Sequence, residues 1–187
     1  MSFEPPLYVE IVGFWRAAGP EAWFTRDQAF DDDIRARYEA VHFAAARGEF
    51  AGWTDNAEGS LALLLLTDQF PRNLFRGSAH AYATDGIARA AANQALKAGH
   101  DREVEAGLRI FFYLPFEHSE APEHQARAVA LFEAHARETG DEDSLKWAVL
   151  HQDIITQFGR FPHRNAALGR ESTAAELAFL ADGGFAG

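Results

Sequence analysis

Apolar residues recur at three- and four-residue spacing along almost the whole chain, and no convincing stretch alternates with the period of two that a half-buried strand requires. The pattern predicts an all-α protein. A first helix is expected over Leu7 to Ala18, with Val9, Val12 and the Phe14-Trp15 pair on its buried side and Gly19-Pro20 as its stop. A second is expected to begin at Thr25, capped with Gln28, and to stripe Phe30, Ile34, Tyr38, Val41 and Ala45 before Gly48 ends it. Residues 54–70 carry the run Leu61-Ala62-Leu63-Leu64-Leu65-Leu66, apolar on every side, so this helix is expected at the centre of the core with Pro71 as its stop.

Further helices are expected over 79–98, closed by Gly99, and over 103–114, where Leu108, Phe111 and Phe112 pack and Pro115 breaks the run. Residues 121–139 and 144–158 make another pair. The last helix starts at Thr173 with Glu176 as capping partner, and Leu177, Phe179 and Leu180 are its expected buried face. About eight helices joined by short turns pack as stacked antiparallel pairs or a compact bundle, and no linker divides residues 1–187, so a single domain is expected. Trp15, Trp23, Trp53 and Trp147 sit beside the apolar stripes and are expected in the core or at helix corners.

Composition narrows the chemistry. With 48% hydrophobic residues and 16 Phe the chain has the material for a sizeable core, and the lack of Cys excludes disulfides, thiol nucleophiles and iron–sulfur clusters. Met1 to Pro6 carries no basic leader, and no apolar run approaches a bilayer-spanning length, which predicts a cytoplasmic protein without membrane contact. The net charge of −11 argues against a nucleic-acid surface, because phosphate backbones call for clustered Lys and Arg.

That charge is unevenly spread around a phrase that nearly repeats: Asp68-Gln69-Phe70-Pro71-Arg72-Asn73-Leu74-Phe75-Arg76-Gly77, and Gly159-Arg160-Phe161-Pro162-His163-Arg164-Asn165-Ala166-Ala167-Leu168-Gly169-Arg170. Both copies read Phe-Pro, Arg-Asn after zero or one residue, three residues, and Gly, which suggests an internal duplication. Segments 68–77 and 157–170 carry net +1 and +3 in an acidic chain. Each copy is expected to turn sharply at its proline with Phe anchored in the core, Asn73 and Asn165 bonding nearby backbone, and Gly77 and Gly169 at positive φ.

Two readings of these corners stand. In one, Arg72, Arg76, Arg160, Arg164 and Arg170, with Asp68, Asn73, His151 and Asn165, line a shared pocket for a small phosphate or carboxylate. In the other, the arginines satisfy helix-end carbonyls and pair with Asp68, Asp153 or Glu120, and the protein is a helical scaffold whose groove binds a protein partner. Histidines cluster nearby: His118, His124, His151 and His163 are interleaved with Glu120, Glu123 and Asp153. His118 or His163 is a candidate proton carrier with Glu120 or Asp153 to orient it, and these are the candidate catalytic groups. No His-Glu-x-x-His or comparable ligand spacing occurs, so neither a metal nor another cofactor is expected.

The residues together resemble a known family. Phe14-Trp15, Trp23-Phe24, Phe30-Asp31, Leu61-Ala62-Leu63, both copies of the repeated phrase, Ala83-Thr84-Asp85, Tyr113-Leu114-Pro115, His118-Ser119-Glu120 and Gln125 are similar to the bacterial family catalogued as domain of unknown function 924. The resemblance implies an all-helical, tetratricopeptide-like fold and no established activity. The chain departs from the family pattern at Glu117, where an apolar residue is usual before His-Ser-Glu; the departure makes the surroundings of His118 more acidic. The 34-residue signature of true tetratricopeptide repeats is absent.

Overall fold

The computed structural model describes residues 6–185, and every regular element within them is a helix or a helical turn. Met1 to Pro5, where no basic leader was expected, lies outside the described residues. Two compact units are present: the first comprises the chain up to Arg76 with Ala81–Pro115, the second Gly77–His80 with the chain from Phe116 onward.

In the first unit, α1 (Leu7–Ala18) ends at Gly19, whose φ of 77° lies in the region glycine favours. Ile11, Val12 and Trp15 are buried, whereas Val9 is half-buried. A short α2 (Pro20–Trp23) follows, unforeseen in the pattern, and α3 spans Gln28–Ala46. The expected start at Thr25 is corrected to Gln28, because the Asp27 carboxylate accepts the N–H groups of Ala29 and Phe30 at 2.8 and 3.3 Å, while the Thr25 hydroxyl donates to the Glu21 carbonyl. Ile34, Tyr38 and Ala45 are buried as the stripe predicts; Asp31 and His42 are buried with them.

Pro71 does not stop the central helix. α4 (Ala57–Leu64) widens into a π turn over Leu65–Gln69 and continues as α5 (Phe70–Leu74), with Phe70 helical at φ −60°, ψ −38°. Pro71 has no N–H, so the Thr67 carbonyl four residues back loses its helical donor. The Thr84 hydroxyl replaces it at 2.6 Å, His42 Nδ1 donates to the Leu66 carbonyl at 2.8 Å, and Arg72 Nη1 donates to the Asp68 carbonyl. Three borrowed side-chain donors therefore hold a widened turn that the backbone alone leaves short of partners.

α6 (Asp85–Ala98) starts later than expected because Ala79–Tyr82 forms a separate 3-10 turn; Gly99 closes it at φ 81°. α7 (Ile110–Glu117) keeps Pro115 inside it, another departure. All eight residues are buried, and that packing holds the helix across the single backbone bond proline removes. The aromatic centre of the first unit is Trp15, whose ring lies 6.0 Å from Trp23, 5.5 Å from Phe70 and 5.6 Å from Phe111. Trp23 Nε1 donates to the Trp15 carbonyl at 2.7 Å.

The second unit is built on α8 (Pro122–Thr139) and α9 (Glu142–Phe158), which pack on each other across the Gly140-Asp141 turn, and on α10 (Ala174–Ala181). The Thr173–Glu176 capping box is present as the sequence predicts. The expected buried face of α10 is corrected: Leu177 is 57% exposed and Glu176 is the buried residue. Glu176 turns inward because Arg160 awaits its carboxylate. Trp147 is likewise 53% exposed rather than in the core.

Candidate functional site

Gly77 aside, which groups with the second unit, the two copies of the phrase fall in different units and take different local structures. In the first, Phe70-Pro71 is helical. In the second, Gly159 at φ 71° ends α9, Phe161 is extended at φ −86°, ψ 109°, and Pro162–Arg164 forms a 3-10 turn. The glycine two residues before Phe161, absent from the first copy, releases the chain from the helix and lets the pre-proline preference act. Gly77 and Gly169 adopt φ 72° and 65°, as expected.

The polar side chains of the first copy are held by buried carboxylates. Arg76 grips Asp31 through Nε–Oδ2 at 2.6 Å and Nη2–Oδ1 at 3.0 Å, and Asn73 Nδ2 donates to Asp31 Oδ1 at 2.7 Å. Asn73 in turn accepts from Gln69 Nε2 at 3.2 Å, so it bonds side chains rather than nearby backbone. Arg72 lies between Asp68 (3.2 Å) and Asp85 (3.1 Å). Burial opposes its charge, but the two carboxylates outweigh that and hold its pKa above the ordinary arginine value. Asp31 and Asp85 had no local sequence signal as partners; only the fold brings them to these arginines.

The second copy is also stitched by carboxylates. Arg170 donates twice to Glu120, at 2.8 and 2.9 Å, and once to the Phe161 carbonyl; the Phe161 N–H donates to Glu120 at 2.8 Å. Burial raises the Glu120 pKa, yet Arg170 and the Phe161 N–H together hold it below the usual carboxylate range. Arg160 grips Glu176 at 2.6 and 2.9 Å, and that pair, reinforced by the Thr173 N–H, keeps Glu176 well below the usual range. Asn165 Nδ2 donates to Ser172 Oγ at 3.0 Å.

Beside this lock lies a cluster of imidazoles. His151 Nδ1 donates to the Trp147 carbonyl at 2.8 Å, and Glu117 Oε1 lies 3.2 Å from the same nitrogen. Among the described residues His151 Nε2 makes no hydrogen bond, which leaves its lone pair available. The His118 ring is 6.4 Å from that of His151, and both His151 and His163 pack against Phe161, at 5.4 and 5.7 Å. Arg164 lies over the Phe161 ring at 4.4 Å and donates to the His118 carbonyl at 2.9 Å. Burial pushes the His151 pKa down to about 3; its bond to Trp147 opposes this, while His118, Arg164 and His163 add to it. The result is a neutral imidazole with His118, His163 and Arg164 in its surroundings. His118, His151, His163 and Arg164 are thus brought together, and Glu117, noticed in the sequence only as a departure, joins them. His124 is held apart by Ser119 Oγ at 2.8 Å. Among the described residues no group of three or more His, Asp or Glu side chains is placed to hold a metal ion.

No relative of curated function matches the sequence. The chain is similar to the solved structure of a protein of unknown function, ATU0120, from Agrobacterium tumefaciens, with 50% identity, a TM-score of 0.88, and coverage of 94% of this chain and 97% of that one. The family model described as bacterial protein of unknown function, DUF924, matches residues 11–184, so the chain belongs to the DUF924 family.

Proposed function

We propose that the chain binds a small anionic ligand at the imidazole cluster of the second unit, and that the ligand is a phosphate. The carrying observation is His151: buried, neutral, with Nδ1 engaged at the Trp147 carbonyl and the Nε2 lone pair uncommitted among the described residues. An acceptor beside Arg164, His118 and His163 fits an anion that brings its own proton. A hydrogen phosphate does so: its hydroxyl donates to His151 Nε2 while its charged oxygens accept from the neighbouring donors. A carboxylate at neutral pH has no such proton. The arginines of the first copy, and Arg160 and Arg170 of the second, serve as corner locks in this reading, because each already grips a carboxylate. Glu120 belongs to the lock as well. The proposal is binding; no reaction is assigned.

The test is NMR of the imidazole side chains during titration with inorganic phosphate and, separately, acetate. Phosphate is expected to move the resonances of His151 and His163 and leave those of His42 and His100 in place, with acetate much weaker. If phosphate in the millimolar range leaves His151 unmoved, or acetate matches it, the reading fails.

A further inference from the structure

The last described residues bring an aromatic ring onto this same cluster. After α10 the N–H groups of Gly183 and Gly184 bond back to the carbonyls of Leu180 and Phe179, at 3.4 and 2.9 Å, and Gly183 adopts φ 80°. This tight turn sends the chain back over α9. The Phe185 ring comes to rest 4.7 Å from His151 and 5.1 Å from His163, edge-on to each with interplanar angles of 64° and 88°, and 6.0 Å from Trp147. It packs against the cluster of Ile154, Ile155 and Phe161 and remains only partly buried. Gly184 is required by space: a Cβ there stands 2.5 Å from the Phe179 carbonyl oxygen and 2.6 Å from its ring.

A phenyl ring carried on one short turn therefore touches two of the imidazoles assigned to the ligand. The ring is seated among aromatic neighbours, Trp147, His151 and His163, at the edge of the cluster assigned to the phosphate. Next to it, Asp143, Lys146, Trp147 and Leu150 line an open depression of about 280 Å³, just below the size range of small-molecule sites. We infer that Phe185 stands where the ligand's own aromatic group binds: the ligand is an aryl phosphate whose ring displaces Phe185 from His151 and His163. The inference rests on the phosphate reading above and names the rest of the molecule. Phe185 is then an internal competitor, and apparent affinity is reduced by the fraction of molecules in which it occupies that seat.

Calorimetric titration of the full chain with phenyl phosphate and with inorganic phosphate tests this, using the wild type, Phe185→Ala and Gly184→Ala. The second variant keeps the ring but forces it from its seat through the clash with Phe179, so it guards against an effect peculiar to losing the side chain. Phenyl phosphate is expected to bind the wild type more tightly than inorganic phosphate does, and about tenfold more tightly still to either variant, with inorganic phosphate changed less than about twofold. Equal affinity of the two compounds, or phenyl phosphate binding that neither variant improves, overturns the aryl assignment while leaving the phosphate site standing. Failure of both compounds to bind any of the three proteins overturns the phosphate reading and this inference with it.

Discussion

Acidification should destabilise this protein through His151. Its pKa lies at about 3 in the folded chain against an ordinary value of 6.5, because burial disfavours the imidazolium. The ring is neutral in the native state, so its contribution to stability is fully present above pH 6.5. As pH falls below 6.5 the unfolded chain takes up a proton that the native chain does not, and stability drops until the native ring titrates near pH 3. At pH 5 the lag is 1.5 pH units below 6.5, which at 1.36 kcal/mol per unit amounts to about 2 kcal/mol. Other groups also titrate in this range, notably Glu120, whose folded pKa is depressed. A comparison with His151→Gln removes them, since they are common to both proteins. Urea unfolding of wild type and variant at pH 7.5 and pH 5.0 gives the double difference. The wild type is expected to lose about 2 kcal/mol more than the variant. Glu117 lies 3.2 Å from Nδ1: were it to hold an imidazolium, the wild type would gain relative to the variant on acidification. A double difference near zero or of that opposite sign refutes the neutral His151 and with it the acceptor on which the phosphate reading rests.

Two predictions concern the core. Leu64 is 1% exposed in the central run, so Leu64→Ala should cost about 2–5 kcal/mol, checked by chemical denaturation; a loss below about 1 kcal/mol would contradict its place there. Thr84→Val removes the hydroxyl that donates to the Thr67 carbonyl, which Pro71 leaves short of a donor, and should cost about 1–3 kcal/mol with faster amide exchange at residues 65–69. An unchanged stability would mean that the π turn does not depend on that bond.

Much of the helical framework was legible because it rests on local signals. Gly19, Gly99 and the Thr173–Glu176 box mark helix ends where the structure has them, and the periodicity separates helix from strand throughout. The errors share a cause: tertiary partners overrule local rules. Pro71 reads as a stop, but Thr84 and His42, 13 and 29 positions away in the chain, supply the donors that carry the helix past it. Pro115 reads as a break, but burial of all of α7 holds it. Leu177 reads as core, but the inward-facing partner on α10 is Glu176, set by Arg160. The candidate site divides in the same way. The repeated phrase pointed to Arg and His residues of interest, and His118, His151, His163 and Arg164 do gather in the second unit. Which arginines are locks depends on Asp31, Asp85 and Glu176, whose positions no spacing in the sequence encodes. The nearly repeated phrase also folds differently in its two copies, since only the second has a glycine placed to end the preceding helix.

The most direct measurement of the central claim is the phosphate-induced rise in melting temperature of the wild type, Arg76→Lys and Arg164→Lys. At phosphate tenfold above its dissociation constant the wild type should gain about 1.4 kcal/mol, equivalent to about 3–6 °C in a chain of this size. Arg76→Lys loses the two-pronged grip on Asp31, so it should melt lower without phosphate and keep the full rise. Arg164→Lys should lose most of the rise. A rise that survives Arg164→Lys intact, or vanishes in Arg76→Lys instead, would contradict the assignment of the second unit's cluster as the site and the first copy of the phrase as a lock.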